Sequence, residues 1–172
     1  MRPAPIRPAR VADAAAISQL RVGTWRAAYA SMIEADVLDK LAADEASIER
    51  QRGYIGDPAP RTHTYVATDG DRVVGWLVAG PSRDGDAGEQ TGEIYAIYVD
   101  AAYWSTGIGR DLMATGLRAL RKEGFGRVTL WVLEANARAR RFYAAAGLAP
   151  DGTRQLLDIG GEVPEVRYAA RL

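Results

Sequence analysis

The stretch "YWSTGIGRDLM", Tyr103 to Met113, sets Gly107 and Gly109 among small polar residues just ahead of apolar positions at helical spacing. The first amides of a helix lack internal partners and sit at a partially positive end, so a phosphate there meets several donors at once. Glycine removes the Cβ that would hold such a ligand away. On this reading the backbone amides of Ser105, Thr106, Gly107, Ile108, Gly109 and Arg110 cradle a pyrophosphate, with the side chains of Ser105, Thr106 and Arg110 as contributors. Taken alone, the pattern also suits an ordinary strand-to-helix turn, because short glycine patterns are common.

Two other phosphate chemistries fail residue by residue. A P-loop needs Lys and then Ser or Thr after its last glycine, and Gly109 is followed by Arg110 and Asp111. A dinucleotide fingerprint needs a small residue three positions after the second glycine, and that position is Leu112. Cysteine is absent and His63 is the single histidine, which argues against thiolate chemistry, disulfide frameworks and Cys/His metal sites. Lys plus Arg and Asp plus Glu both total 22, so no global field draws nucleic acid or an anionic membrane. The N-terminus has no apolar run of signal-peptide or membrane-spanning length, and a cytoplasmic protein is expected.

The elements that must hold the turn can be read from periodicity. "PIRPAR" suits an edge strand, where proline is tolerated. Val11 to Tyr29 has helical spacing through Ile17, Leu20, Thr24, Ala27 and Ala28, and Asp36 to Gly53 reads as one or two shorter helices. "THTYVAT" and "DRVVGWLVAG" flank "DGD" as a hairpin, and "EIYAIYV" is a third strand. After the glycine turn, Leu112, Met113, Leu117 and Leu120 form an apolar helical stripe that stops at Gly124. "RVTLWVLE" is a buried strand, Asn136 opens a short helix ended by Gly147, and "RQLLDIGGEVPEVRYAARL" folds as two strands around "GG". A mixed sheet covered by helices follows, and 172 residues suffice for one domain with one core.

"IYVDAAYWSTGIGRDLM" followed by "NARARRFYAAAGL" resembles the GCN5-related N-acetyltransferase (GNAT) superfamily. That family pattern is a strand, a Gln/Arg-x-x-Gly-x-Gly/Ala turn, a helix, another strand, then Asn and a helix carrying Phe-Tyr and ending in Gly. Gly107, Gly109, Asn136, Tyr143 and Gly147 match it, while Trp104 stands where Gln or Arg is usual. The departure removes a side-chain contact to the cofactor but leaves the backbone cradle, so weakened binding is expected. The resemblance implies an α/β (α+β) fold over 1–172, a single acetyltransferase domain whose central sheet is mixed and mostly antiparallel. It is flanked by helices, with splayed parallel strands Glu93 to Val99 and Arg127 to Leu133 in the middle.

By the same resemblance, acetyl-CoA is the cosubstrate and no metal is involved. The amides near Ile97 and Val99 bind pantetheine and orient the thioester, and Asn136 and Tyr143 belong to the cofactor site. Tyr143 is the candidate acid for the departing sulfur, and Glu93, sharing a face with Tyr95 and Ile97 by the two-residue strand period, is the candidate base. A core aromatic packed beside Phe142 is the alternative for Tyr143, and a solvated strand-end carboxylate is the alternative for Glu93. Trp25 and Tyr29, one helical turn apart, and Tyr95 are candidates for the acceptor pocket, with core packing as the alternative. The expected reaction is direct acetyl transfer in a ternary complex to a primary amine of a small molecule. A protein N-terminus or lysine as acceptor, or a non-catalytic acyl-CoA-binding or regulatory module, are the competing readings. A homodimer using the last strands, including "VRYAARL", is a further expectation.

Overall fold

The computed structural model describes residues 4–159 and 161–172; Gly160, half of the expected "GG" turn, lies outside the described residues. The order of elements is β1 (Ile6–Pro8), α1 (Ala14–Tyr29), α2 (Ala35–Asp39), α3 (Glu45–Gly56), β2 (His63–Asp69), β3 (Arg72–Pro81), β4 (Thr91–Val99), α4 (Ile108–Lys122), β5 (Arg127–Leu133), α5 (Ala137–Ala145), β6 (Ala149–Asp158) and β7 (Glu162–Arg171). They build a seven-stranded sheet in the order β1-β2-β3-β4-β5-β7-β6. Every pairing is antiparallel except β4 with β5.

Capping explains where the helices begin. Asp44 accepts from the Ser47 amide at 2.8 Å and starts α3, and Asn136 accepts from the Ala139 amide at 3.0 Å and starts α5. Ahead of α1, Asp13 takes two bonds from Arg7 and one from the Arg10 amide. The stripe of α4 buries Ile108, Leu112, Met113 and Leu120 against Leu77, Ile94, Val128 and Leu130. Each such large side chain contributes roughly 1.5–3 kcal/mol. Close approach is allowed by Gly116, where a Cβ would meet Leu77 at 2.8 Å. The opposite sheet face packs on α1 through Ile17, Leu20, Val66, Val73 and Trp76.

Two irregularities make room for a site. Strands β4 and β5 pair only from Thr91 with Arg127 to Glu93 with Thr129, and then part. In β4 the register to β3 slips: Ala79 faces Ile94 and Val78 faces Ala96, so Tyr95 is an inserted, bulged residue. The bulge corrects one expectation. Ile97 packs with the α4 cluster and Tyr98 with the α1 cluster, so Ile97 does not share a face with Glu93. A strict two-residue period cannot pass through an inserted residue.

The closing strands also differ from expectation. Strand β6 begins at Ala149, earlier than the sequence pattern suggests. The segment "VRYAARL" lies in β7 up to Arg171, flanked by β5 and β6, so β6 and not β7 is the sheet edge. No described helix is long and apolar enough to cross a membrane.

Candidate active site

The parting of β4 from β5 is bordered by two adjoining cavities. One, of about 530 Å³, reaches from the glycine turn along β4 to α1 and α5, and its lining includes Met32, Trp104, Ser105, Gly107, Gly109 and Arg138. The other, of about 290 Å³, lies among α1, β4, β5 and the β6–β7 hairpin, with Trp25, Glu93, Tyr95, Trp131, Gln155 and Glu165 in its wall. Tyr29, Ile97, Tyr98, Asn136, Ala139 and Tyr143 border both.

At the outer end of the larger cavity, Gly107 is the residue before α4 and has φ 98°, a left-handed conformation that a side chain would strain. Ser105, at φ 63°, shares that region. The first amides of the 15-residue α4 follow, and with glycine at the turn they suit an anionic group such as a pyrophosphate. Ser105, Gly107, Gly109 and Arg110 line the cavity. Thr106 and Ile108 do not. The Thr106 hydroxyl donates to the Tyr103 carbonyl at 2.6 Å, and the Ile108 side chain turns into the core, leaving its backbone amide as the only group it can offer.

Trp104 is not a gap in the wall. Its indole N–H donates to the Val99 carbonyl at 2.8 Å, and the Arg138 guanidinium lies over its ring at 3.3 Å. A cation therefore reaches this wall from α5, at a position the sequence pattern did not single out. Burial lowers the Arg138 pKa from its ordinary value, and an arginine remains charged nevertheless.

The Asp100 amide bonds the Val74 carbonyl of β3. By alternation, the backbone groups of Val99 and Ile97 face the opposite side, toward the gap. Tyr143 stands between the two cavities, against Phe142 and Tyr168. Among the described residues no group hydrogen-bonds its hydroxyl. Burial pushes its phenol well above the ordinary value, reinforced by Tyr98, so it stays protonated and able to donate.

Around the smaller cavity, Trp25 and Tyr29 meet edge to face at 5.1 Å, and the Trp25 indole donates to the Tyr98 hydroxyl at 3.0 Å. Tyr95 is tied to the Pro81 carbonyl at 2.5 Å. Glu93 is not a solvated strand end: it is 2% exposed. It accepts from the Arg83 amide at 2.8 Å and from the Arg83 guanidinium at 2.5 Å. His63 pairs with Glu123, and Trp76 belongs to the core.

Glu165 was not foreseen. It is 9% exposed, pairs across the sheet with Leu133 and Gln155, and lines the same cavity as Glu93. Burial raises its pKa, opposed by the Gln155 hydrogen bond and reinforced by the charge of Glu93. Nearby, Arg167 holds Asp84, Asp86 and Asp151 together, and Trp131 also donates to Asp84, which fastens the β3–β4 loop over the sheet. The alternation of "VPEVRYA" contained the signal for Glu165: Val163, Glu165 and Arg167 fall on one face, Val166 and Tyr168 on the other.

The sequence matches the acetyltransferase (GNAT) family over residues 25–148. It is 32% identical over 133 residues to the uncharacterized N-acetyltransferase YuaI of Bacillus subtilis, covering 76% of this chain and 72% of that protein. It is 37% identical over 97 residues to a mycothiol acetyltransferase of Geodermatophilus obscurus, covering 55% of this chain but only 30% of that protein. In fold it is similar to yncA of Salmonella typhimurium, solved with its cofactor acetyl-CoA, at a TM-score of 0.74 and 21% identity over 98% of this chain and 93% of that one.

Proposed function

The chain belongs to the acetyltransferase (GNAT) family, and from that premise we propose that it transfers acetyl from acetyl-CoA to the primary amine of a small molecule, acting as one domain by direct transfer. The observation that carries this reading is the pair of adjoining cavities with Tyr143 in their common wall. A glycine turn suited to a pyrophosphate lies at one end and a carboxylate-bearing cavity at the other. A cavity of about 290 Å³ suits a small acceptor. The likeness to a mycothiol acetyltransferase, an enzyme named for a small molecule, points the same way.

The first amides of α4, with Ser105 and Arg110, hold the pyrophosphate, and Arg138 on Trp104 adds a positive charge to the same wall. The Ile97 and Val99 backbone groups grip the pantetheine arm and fix the thioester carbonyl beside the second cavity. Because Trp104 satisfies the Val99 carbonyl, the Val99 amide remains for this contact. A carboxylate of the smaller cavity accepts the amine's proton, Glu93 being the one sequence reasoning singles out. The amine nitrogen bonds to the acetyl carbon, the carbon–sulfur bond breaks, and Tyr143 protonates the leaving sulfur. The chain has no cysteine to carry an acetyl thioester, in keeping with direct attack.

The test is a calorimetric titration with acetyl-CoA, desulfo-CoA and ATP, followed by turnover on small amines and on peptides. Saturable binding of both coenzymes with ATP much weaker, then acetylation of small amines, supports the proposal. Turnover only on peptides would move the acceptor to protein. Coenzyme binding without turnover on either would leave a non-catalytic module.

A further inference from the structure

The smaller cavity contains two buried carboxylates whose surroundings differ in kind. Glu93 is neutralised, its oxygens taken by the backbone and guanidinium of Arg83. Glu165 has no cationic partner: among the described residues its one hydrogen bond comes from Gln155 Nε2 to Oε2 at 3.0 Å, and Oε1 accepts none. An unpaired carboxylate taken out of water is costly unless a cation arrives to pair with it.

Resting on the acetyltransferase reading, we infer that Glu165, not Glu93, receives the ammonium of the acceptor and takes its proton, and that the acceptor is a small primary amine on an apolar or aromatic body without its own carboxylate.

The other charges near Glu165 are already engaged. Glu93 faces it from β4 and is held by Arg83. On its own strand, Arg167 is bound to Asp84, Asp86 and Asp151. Beside Gln155 on β6, Arg154 pairs with Glu134. The remaining titratable groups lining the cavity are the phenols of Tyr29, Tyr95, Tyr98 and Tyr143, all held protonated by burial. Glu93, Arg83 and Glu165 therefore leave the cavity one negative charge, which selects a cation and repels a carboxylate. Trp25, Tyr29 and Trp131 supply aromatic faces for that cation and for an apolar body.

In the step itself an N–H bond of the ammonium breaks and Glu165 Oε1 gains the proton. The freed nitrogen pair bonds to the acetyl carbon and the carbon–sulfur bond breaks, its pair leaving on sulfur. The sulfur takes a proton from the Tyr143 hydroxyl, which regains one from the acylated nitrogen. Glu165 then releases its proton to solvent, so one ammonium and one acetyl-CoA give one amide, one CoA thiol and one proton.

The experiment compares wild type, Glu165→Gln and Glu93→Gln with phenethylamine, benzylamine and hexylamine, alongside calorimetry with acetyl-CoA. Glu165→Gln is expected to lower kcat/KM about 100-fold at neutral pH, in the range of a lost general base, with acetyl-CoA affinity unchanged. The deficit should shrink as pH rises and free amine replaces ammonium, whereas Glu93→Gln should lose less and keep the wild-type pH profile. A measurement on wild type alone guards against a misfolded variant: with desulfo-CoA bound, phenethylammonium should quench tryptophan fluorescence at lower concentration than 2-phenylethanol, and 3-phenylpropanoate should not compete. Activity and pH profile retained in Glu165→Gln, or the main loss falling on Glu93→Gln, would overturn the inference. So would equal binding of alcohol and ammonium, or acetyl-CoA binding without acetylation of any of the three amines. Failure to bind acetyl-CoA would instead overturn the acetyltransferase reading beneath it.

Discussion

The guanidinium of Arg138 lies 3.3 Å from the centre of the Trp104 ring, so a residue in α5 and one in the loop before α4 form a single cationic edge on the larger cavity. Arg138→Ala is expected to weaken acetyl-CoA binding by about 1–2 kcal/mol, the size of a partly desolvated cation–π contact, or roughly 5- to 30-fold in Kd. Trp104→Leu should weaken it too, because the ring orients the arginine and bonds Val99. Calorimetry on both variants and on the pair measures the coupling; additive losses would mean the two act separately.

Tyr143→Phe removes one hydroxyl and keeps the ring that packs on Phe142 and Tyr168. Turnover is expected to fall about 100-fold if the phenol protonates the sulfur, with the KM for acetyl-CoA little changed. Unaltered kcat at saturating substrates would return Tyr143 to a packing role.

Gly107→Ala places a Cβ on a residue at φ 98°, with Arg110 Nη2 at 3.4 Å from that carbon. The left-handed strain costs about 1–2 kcal/mol, which corresponds to a fall in Tm of roughly 2–8 °C for a chain of this size. Thermal unfolding with and without acetyl-CoA checks both the strain and the distortion of the anion site.

Glu165 carries a stability signature opposite to that of a paired acid. Burial first, and Glu93 in addition, raise its folded pKa above the ordinary 4.5, with the Gln155 hydrogen bond opposing them. The folded state therefore holds the proton more tightly than the unfolded one, and stability declines as pH climbs from 4.5 through the folded value. Glu165→Gln should raise Tm at neutral pH, by about 2–4 °C for each kcal/mol recovered, and should lose that advantage near pH 4. Denaturation at the two pH values provides the check.

Asp13 runs the other way. Its hydrogen bonds from Arg7 hold its pKa below the ordinary 3.8, with burial opposing them and the Arg10 amide adding to the fall. This contribution is full above 3.8 and disappears as pH falls through the lower folded value. Asp13→Asn should therefore destabilise at neutral pH and converge with wild type under strong acid, as read by urea unfolding across pH.

Much of this was legible in the chain because it depended on local pattern. The glycine turn, the Asn136 cap and the stripe of α4 each follow from residues within a turn or two of one another. The bulge at Tyr95 was not, because register is a relation between β3 and β4, and it moved Ile97 to the other face. Glu165 and Arg138 escaped for a related reason. One gains meaning from Glu93 and Arg83, some 70 to 80 positions earlier, and the other from Trp104, and no spacing rule links such pairs.

The parallel seam between β4 and β5 has only three matched positions, Thr91 to Glu93 on one side and Arg127 to Thr129 on the other. The sheet is thus two half-sheets, β1-β2-β3-β4 and β5-β7-β6, stitched along a short edge and buttressed by α4. Such an arrangement can open by unzipping from the seam's wide end before either half loses its own pairing. A pantetheine arm lying in the gap would act as the missing rung between the halves. Acetyl-CoA should then slow hydrogen exchange most at Ile97 and Val99, turning a mechanically divided sheet into one cooperative unit.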